Sequence, residues 1–314
     1  MSNWTSAWTW SVNAPLSIDD FLKIEKKMST RMIKKIRRFG ELQVNGKPAV
    51  KHQELLPGDV VCVVPPEEQF PAHFQRYSYP LSVIYEDAHL LILNKPAPMA
   101  TMPGHGEKGE SLAEAVMAYY ETKKFPGSFH AVGRLDRGTS GIMIVGKHGY
   151  AHDKLTRFTE YRPNKRYVAF VEGSFPDGRQ VIDDPIQRHP DSLIERQIGG
   201  DKPAITIAEK RGEGGGVSLV ELTLITGRTH QLRVHLAARG YPIVGDTLYG
   251  SSSLWIKRQA LHSIHTRFQH PITEKMYHLT APFPRDLQPL FSKMGADILD
   301  ELHQASTTSS NVKR

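Results

Sequence analysis

Cysteine is almost absent from this chain, with one residue, Cys62, among 314. A single thiol excludes an intramolecular disulfide and a thiolate metal cluster. Its nearest neighbours in the run Val60–Val64 are all valines. A thiol in such an apolar run is typical of a buried strand, so the sequence predicts a packing role for Cys62 rather than a reactive one.

Long apolar runs are also missing. No stretch approaches the roughly 20 apolar residues that a membrane-spanning helix needs. The first ten residues include three tryptophans, but they lack the basic segment followed by an apolar segment that marks a signal peptide. We therefore expect a cytoplasmic protein with no membrane partner.

Metal-ligand motifs are missing as well, although the chain has fifteen histidines. There is no His-Glu-x-x-His sequence, and pairs such as His230 with His235 or His262 with His265 lack a carboxylate that would complete a ligand set. This pattern disfavours the alternative of a metal-dependent hydrolase, and we expect no metal site.

Acidic residues are the minority charge, with 33 Asp and Glu against 40 Lys and Arg and a formal net charge of +7. This balance indicates an anionic partner, with nucleic acid the leading candidate.

Part of the positive charge lies on one predicted helix, over 29–39, which Gly40 ends. Four cations recur there at spacings that place them on one face: Arg31, Lys34, Lys35 and Arg38. Met32, Ile36 and Phe39 form a separate apolar stripe. Because like charges on one face weaken an isolated helix, the arrangement favours a phosphate-binding surface.

Composition changes along the chain predict five segments. They are an N-terminal extension with one short strand (1–14), a small unit (15–65), a proline-containing linker (66–80), a large unit (81–290) and a C-terminal helix and tail (291–314). Within the small unit, Asn45-Gly46 predicts a hairpin turn, and Val60–Val64 predicts a strand. The linker leads us to expect two units that move relative to each other.

The large unit is rich in predicted strands. They cover 83–85, 90–93, 142–145, 166–172, 217–225 and 276–279, with helices from Ser111 onward, over 150–160 and over 229–239. Ser111 and Glu114 form the capping-box pattern that opens the first of these helices. Many strands without strict βαβ alternation predict an α+β fold with a mixed or antiparallel sheet.

The most informative stretch of the large unit is a loop followed by a buried strand. The loop over 133–141 is rich in Gly, Thr and Ser, and the strand over 142–145 is wholly apolar. The loop carries Asp136 between Arg134 and Arg137, and flanking guanidinium groups favour an ionised carboxylate. On its own, this pattern also fits an aspartate that only caps the loop.

Two further segments change that interpretation when they are taken together with the loop. The first is Lys165-Arg-Tyr167-Val-Ala-Phe-Val-Glu-Gly173, and the second is Leu224-Ile-Thr-Gly-Arg-Thr-His-Gln-Leu-Arg233-Val-His235, which Gly245-Asp-Thr-Leu-Tyr-Gly250 follows. In this order they resemble the RluA family of RNA pseudouridine synthases over about 81–285. The basic helix, Gln43-Val-Asn-Gly-Lys47 and Leu56-Pro-Gly-Asp-Val60 resemble the αL RNA-binding domain of a small-subunit ribosomal protein.

The resemblance implies an isomerase that breaks the N1–C1′ bond of a uridine in folded RNA and forms a C5–C1′ bond, with no cofactor. It implies that Asp136 acts as nucleophile or acid–base group and that Arg233 pairs with Asp136. It implies that Tyr167 stacks on the target base, with removal of the C5 proton as a further role for its hydroxyl. Arg134 is similar to the residue that fills the space left by the flipped base. The further residues expected at the RNA are Lys165, Arg228 and His230, the last on the same helix as Arg233. Lys147, Lys165 and Arg228 are expected either to support the fold or to contact phosphate.

Two positions depart from the family pattern: Gly133 stands where His is most common, and Gly138 where Asp is frequent. We expect the extra glycine to loosen the loop.

The alternative function is a catalytically silent RNA-binding or assembly protein of the same fold. Ribosomal RNA is the favoured substrate, transfer RNA is the alternative, and we expect a monomer.

Overall fold

The N-terminal part of the chain forms a four-stranded antiparallel sheet with helices against it. The structure is a computed structural model that describes residues 7–68, 74–104 and 109–294. The elements of this part are β1 (Trp8–Ser11), β2 (Leu16–Ser17), α1 (Ile18–Asp20), which continues as a π-helical turn (Phe21–Glu25), α2 (Thr30–Phe39), β3 (Glu41–Val44), β4 (Lys47–Pro48), β5 (Glu54–Leu55) and β6 (Val60–Val64). The sheet order is β1-β6-β3-β4, so the strand predicted in the extension pairs with the small unit.

Local sequence explains the ends and turns of this part. Ser29 caps α2, because its Oγ accepts a hydrogen bond from the Met32 amide at 3.2 Å. Asn45 and Gly46 have φ angles of 52° and 75°, the left-handed pair that a tight two-residue hairpin requires. Both the helix and the turn agree with the sequence analysis.

Two packing predictions for this part were wrong. The stripe of α2 that packs inward contains Ile33 and Ile36, whereas Phe39 is 63% exposed and carries the Arg38 guanidinium over its ring. Cys62 lies in β6 as predicted, but Val61 and Val63 take the buried face. Alternation along the strand leaves the cysteine half-buried on the other face.

The C-terminal part is built on a ten-stranded sheet. Its elements are β7 (Val83–Glu86), β8 (Leu90–Lys95), α3 (Leu112–Thr122), β9 (His130–Ala131), β10 (Ser140–Gly146), α4 (Gly149–Arg157), β11 (Asn164–Glu172), β12 (Arg179–Asp183), β13 (Ile186–Arg188), β14 (Arg196–Ile198), β15 (Ile205–Gly214), β16 (Val217–Leu224), α5 (Gln231–Ala238), β17 (Leu261–Gln269), β18 (Met276–Thr280), a 3₁₀ turn (Arg285–Leu287) and α6 (Gln288–Phe291). The order is β12-β15-β16-β11-β17-β10-β8-β7, with β18 on β17 and β9 on β10.

Pairing is antiparallel except between β10 and β17. The sheet is therefore mixed, and the predicted α+β class is confirmed. At the parallel pair, a Cβ on Gly141 would lie 2.2 Å from the Ser263 carbonyl oxygen, and Gly141 has a φ of +108°. Glycine is thus the residue that lets these two strands meet.

Strands β15 and β17 were missed by the sequence analysis. Strand β17 lies in the middle of the sheet, yet four polar residues in it are buried: His262, Ser263, His265 and Thr266. Polar residues at interior positions hide the apolar alternation by which a strand is recognised. The helix predicted over 150–160 also ends earlier, at Arg157.

The two parts of the chain share packed contacts. The Trp8 ring stacks on Tyr150 with centroids 4.7 Å apart, and the Tyr150 hydroxyl donates to the Lys26 carbonyl at 2.6 Å. Lys27 forms an ion pair with Glu160. The small unit therefore packs directly on the large unit, and the relative motion of the two units stays a prediction. Part of the predicted linker (69–73) and the tail from 295 onward lie outside the described residues.

Within the described ranges, no helix is long and apolar enough to cross a bilayer.

Candidate active site

Asp136 lies on a loop whose main-chain groups are hydrogen-bonded to Met99 and Thr101. The Thr101 hydroxyl donates to the Leu135 carbonyl at 2.8 Å and accepts from the Leu135 amide at 3.2 Å. The Met99 amide donates to the Arg137 carbonyl at 3.0 Å. Leu135 is buried between these anchors, while the Asp136 side chain keeps 28% of its surface exposed. The carboxylate is thus both held and accessible.

Arg233, on α5, is placed between two carboxylates. Its Nη1 lies 3.3 Å from Asp136 Oδ2. Its Nε and Nη2 donate to the two oxygens of Asp246 at 2.6 and 2.7 Å. Burial alone would lower the pKa of Arg233, but the hydrogen bonds and charge of Asp246, with those of Asp136, raise it above its usual value. The guanidinium is therefore a fixed positive charge beside Asp136.

Asp246 is a site residue to which the sequence analysis gave no role. It is 1% exposed, and it follows Gly245 in the motif over 245–250 that was noted only as part of the family resemblance. Tyr249 of the same motif places its ring 4.9 Å from the Arg233 guanidinium carbon. The signal was present in the sequence, but the pairing of position 246 with position 233 depends on tertiary structure.

Tyr167 and His230 complete the surroundings of Asp136. Tyr167, on β11, is 5% exposed and lines the same small cavity as Asp136. His230 was predicted on the helix, but it caps α5 from a left-handed conformation, with φ 57°. Its Nε2 still lies 3.9 Å from Asp136 Oδ2, and its Nδ1 is 2.9 Å from the Tyr249 hydroxyl. Burial lowers the pKa of His230, although the charge of Asp136 acts in the opposite direction. The lowered pKa favours a neutral imidazole.

We call this space the Asp136 cavity. Its volume is about 60 Å³, and it is lined by Arg134, Asp136, Tyr167, Arg228, His230 and Arg233, among others. This volume is far below the roughly 300–1,000 Å³ of sites that enclose a small ligand. A nucleotide must therefore widen the cavity, and two of its lining residues, Arg134 and Arg228, are exposed.

Comparison with known proteins identifies the family to which this chain belongs. A family model described as RNA pseudouridylate synthase matches residues 89–238. The Bacillus subtilis (strain 168) protein named uncharacterized RNA pseudouridine synthase YjbO is 40% identical over 253 residues, which cover 80% of this chain and 89% of that protein. The chain belongs to the RluA family of RNA pseudouridine synthases.

Other relatives agree with this membership. The ribosomal large subunit pseudouridine synthase D of Escherichia coli (strain K12) is 33% identical to the synthase, with 81% of this chain and 82% of that protein covered. The solved structure of human RNA pseudouridylate synthase domain containing 1 is 29% identical, with a TM-score of 0.57 over 73% of this chain and 95% of that one. The synthase is accordingly an isomerase that acts on RNA.

The remaining predicted residues divide into three groups. Arg134 and Arg228 are exposed at the Asp136 cavity, although Arg228 Nε also donates to the Pro203 carbonyl at 3.0 Å. Lys165 is half-buried and donates to the Val132 carbonyl at 2.9 Å, and burial lowers its pKa to about 8. Lys165 therefore supports the strand before the loop. The cations of α2 do not line the cavity but lie exposed on the small unit: Arg31, Lys34, Lys35 and Arg38.

Two buried lysines support the frame of the synthase. Lys147 donates to Glu86 at 2.7 Å and to the Asp87 carbonyl at 2.6 Å, in agreement with the expected fold-supporting role. Lys95, which the sequence analysis missed, is fully buried under the Asp136 loop and donates to the Met99 carbonyl at 2.8 Å. Burial lowers the pKa of Lys95 to about 7, with the charge of Arg258 acting in the same direction.

The two departures from the family pattern now have physical explanations. Gly133 has a φ of +81°, a conformation in which a histidine would be strained, and the Lys165 ammonium lies 3.3 Å from where its Cβ would be. At Gly138, a Cβ would lie 2.2 Å from the Gln259 side-chain oxygen. Gln259 occupies this space and donates to the Thr139 hydroxyl at 3.2 Å. The expected loosening of the loop is therefore opposed by a side chain from another segment.

Proposed function

We propose that the synthase converts specific uridines of large-subunit ribosomal RNA to pseudouridine, with Asp136, Tyr167 and Arg233 as its catalytic residues. The observation that carries this proposal is the Asp136–Arg233 contact of 3.3 Å, formed inside a cavity that Tyr167 also lines. A carboxylate held by a buried cation stays charged and oriented, which is what a nucleophile or an acid–base group needs.

The reaction balances without an external reactant. The N1–C1′ bond breaks, the uracil turns, and C5 bonds to C1′; the proton lost from C5 is matched by a proton gained at N1. Asp136 either attacks C1′, releasing the base, or adds to C6 of the ring and later leaves. In both routes, Arg233 compensates the charge of the free carboxylate before and after the covalent step.

Tyr167 is assigned to stacking. Burial raises the pKa of its phenol well above the usual value, and the charge of Asp136 acts in the same direction. At neutral pH the phenolate that a general base requires is therefore rare. Its ring lines the Asp136 cavity, and stacking of a base on such a ring is worth about 1–3 kcal/mol.

The RNA surface that we propose extends from the cavity to the small unit. Arg134, Arg228 and His230 lie at the Asp136 cavity. The role that we propose for Arg134 is to fill the space in the stack after the uridine leaves it. The exposed cations of α2 give the small unit a phosphate-binding face. We propose that this unit, over 15–65 together with β1, acts as an αL-type RNA-binding domain.

The choice of ribosomal RNA rests on relatives. Synthases named for the ribosomal large subunit in Escherichia coli (strain K12) and Zymomonas mobilis are 33% and 36% identical to this chain. Such a substrate would place the synthase in the cytoplasm of a bacterium. Transfer RNA is the alternative substrate. The monomeric state is a separate prediction, which size-exclusion chromatography with light scattering would test.

The experiment is to map pseudouridines in total RNA from cells that lack the protein. We expect at least one position of the large-subunit RNA to lose its modification and to regain it on expression of the wild type, but not of Asp136→Asn. Loss confined to transfer RNA would replace the proposed substrate. No lost position in any RNA would contradict the proposed function.

A further inference from the structure

A second cavity has Arg137 of the Asp136 loop in its wall, and we call it the Tyr77 cavity. Its volume is about 410 Å³, and its walls include Tyr77, Tyr79, Pro98, Met102, Glu110 and Arg137. This volume is within the range of small-molecule sites. Neither the family resemblance nor the Asp136 cavity accounts for it.

The side chains of this cavity suit a flat, uncharged group. The rings of Tyr77 and Tyr79 have centroids 5.6 Å apart and are tilted by 32°, and both are half-buried against the main core. They therefore present ring surface from a fixed position. Glu110 would repel a phosphate and the charge of Arg137 would repel a cation, whereas a nucleobase is uncharged and its edge offers hydrogen-bond donors to Glu110. A nucleobase therefore fits this wall, with its face on a tyrosine.

The wall of the Tyr77 cavity is hydrogen-bonded to the Asp136 loop. Met99 donates its amide to the Arg137 carbonyl at 3.0 Å, and the fully buried Lys95 bridges both residues by donating to the Met99 carbonyl at 2.8 Å and to the Arg137 carbonyl at 3.4 Å. Arg137, which lines this cavity, directly follows Asp136, which lines the other. The two cavities thus share the Asp136 loop as part of their walls.

We propose that the Tyr77 cavity binds one unpaired base next to the target uridine. This inference rests on the proposed function, because it assumes that the uridine enters the Asp136 cavity. A base in the Tyr77 cavity fixes the strand on both sides of the Asp136 loop. The synthase then selects uridines whose neighbour is also unpaired, which is a preference based on RNA shape.

The test uses a stem-loop that carries the uridine identified by the mapping experiment above. Abasic nucleotides replace, one at a time, the two residues on each side of that uridine. The kcat/KM for pseudouridine formation is measured for the wild type, Tyr77→Ala and Tyr79→Ala. Tyr241→Ala is the control, since Tyr241 is likewise half-buried against the main core but lines neither cavity.

In the wild type, we expect one abasic position to lower kcat/KM about tenfold, as the loss of one stacked base predicts. In Tyr77→Ala or Tyr79→Ala, which start from a lower kcat/KM, the same abasic change should cost less than twofold. Tyr241→Ala should keep the full loss. Equal abasic losses in the wild type and both variants, or no loss at any position, would refute the inference. Circular dichroism establishes that each variant is folded. Tyr77→Phe and Tyr79→Phe keep the rings, so they should show the same abasic loss in kcat/KM as the wild type. If the mapping experiment finds no uridine that depends on the protein, it is the proposed function that fails.

Discussion

The substitution Asp246→Asn tests how the catalytic loop obtains its charge partner. Asp246 accepts two hydrogen bonds from Arg233, at 2.6 and 2.7 Å, and these fix the guanidinium so that Nη1 faces Asp136. Asparagine keeps the shape, but its amide hydrogens oppose the Arg233 donors, so one of the two bonds is lost. A hydrogen bond to a charged group contributes about 1.5–3 kcal/mol, and we expect a stability loss of this size.

The catalytic effect should exceed the effect on RNA affinity. Displacement of a catalytic group by about 1 Å can cost about 100-fold in rate, so we expect kcat to fall by about this factor. RNA affinity should stay within about threefold, because Asp246 is buried and does not contact RNA in the proposed complex. The assay is tritium release from RNA labelled at uridine C5, at a temperature where circular dichroism shows the variant to be folded.

The matched control is Asp184→Asn, which breaks another Asp–Arg pair near the same helix. Asp184 accepts from Arg239 at 2.6 Å, but the Arg239 side chain is 49% exposed. Exposed pairs contribute about 0–1 kcal/mol, so activity and stability should change little. A kcat for Asp246→Asn within threefold of the wild type would refute the assigned role of Asp246.

Three further predictions concern the base, the loop and the RNA surface. Asp136→Asn should abolish tritium release while RNA affinity, measured by filter binding, stays within about threefold, because Arg233 keeps Asp246; residual turnover above 1% of the wild type would remove Asp136 from the covalent step. Tyr167→Phe should keep most of kcat in the same assay, whereas Tyr167→Ala should lose about 10–100-fold, the equivalent of one base stack; equal losses would assign the chemistry to the hydroxyl. Charge reversal at Lys34 and Lys35 should weaken RNA binding and lower the slope of log affinity against log salt by about two, with reversal at the exposed Lys123 and Lys124 as control. An unchanged slope would mean that the α2 face is only solvated.

Features encoded by neighbouring residues could be predicted from the sequence. Ser111 and Glu114 form the expected capping box at the start of α3. The hairpin at Asn45 and Gly46 was likewise found as expected, because left-handed conformations restrict the residue type. The Asp136 loop and its buried strand also follow the sequence pattern, since both are set by residues close together in the chain.

Features that depend on distant residues could not be predicted. Strand β17 carries polar side chains at buried positions, and one of them contacts a distant segment: His262 Nδ1 lies 2.9 Å from the Ser140 hydroxyl. Gln259 fills the space above Gly138, and Trp8 stacks on Tyr150. Each contact joins segments far apart in the chain, and no local pattern specifies which segments will meet.

The position of β17 has a consequence for how the synthase is made. Strands β7, β8 and β10 lie on one side of it, and β11, β12, β15 and β16 lie on the other, so β17 alone joins the two halves of the sheet. Asp136 belongs to the first half, and Tyr167 and Arg233 belong to the second. All these strands precede β17 in the chain, so the sheet stays in two halves until β17 pairs with both β10 and β11. A chain that ends before β17 therefore holds Asp136, Tyr167 and Arg233 but lacks the strand that joins their two halves of the sheet.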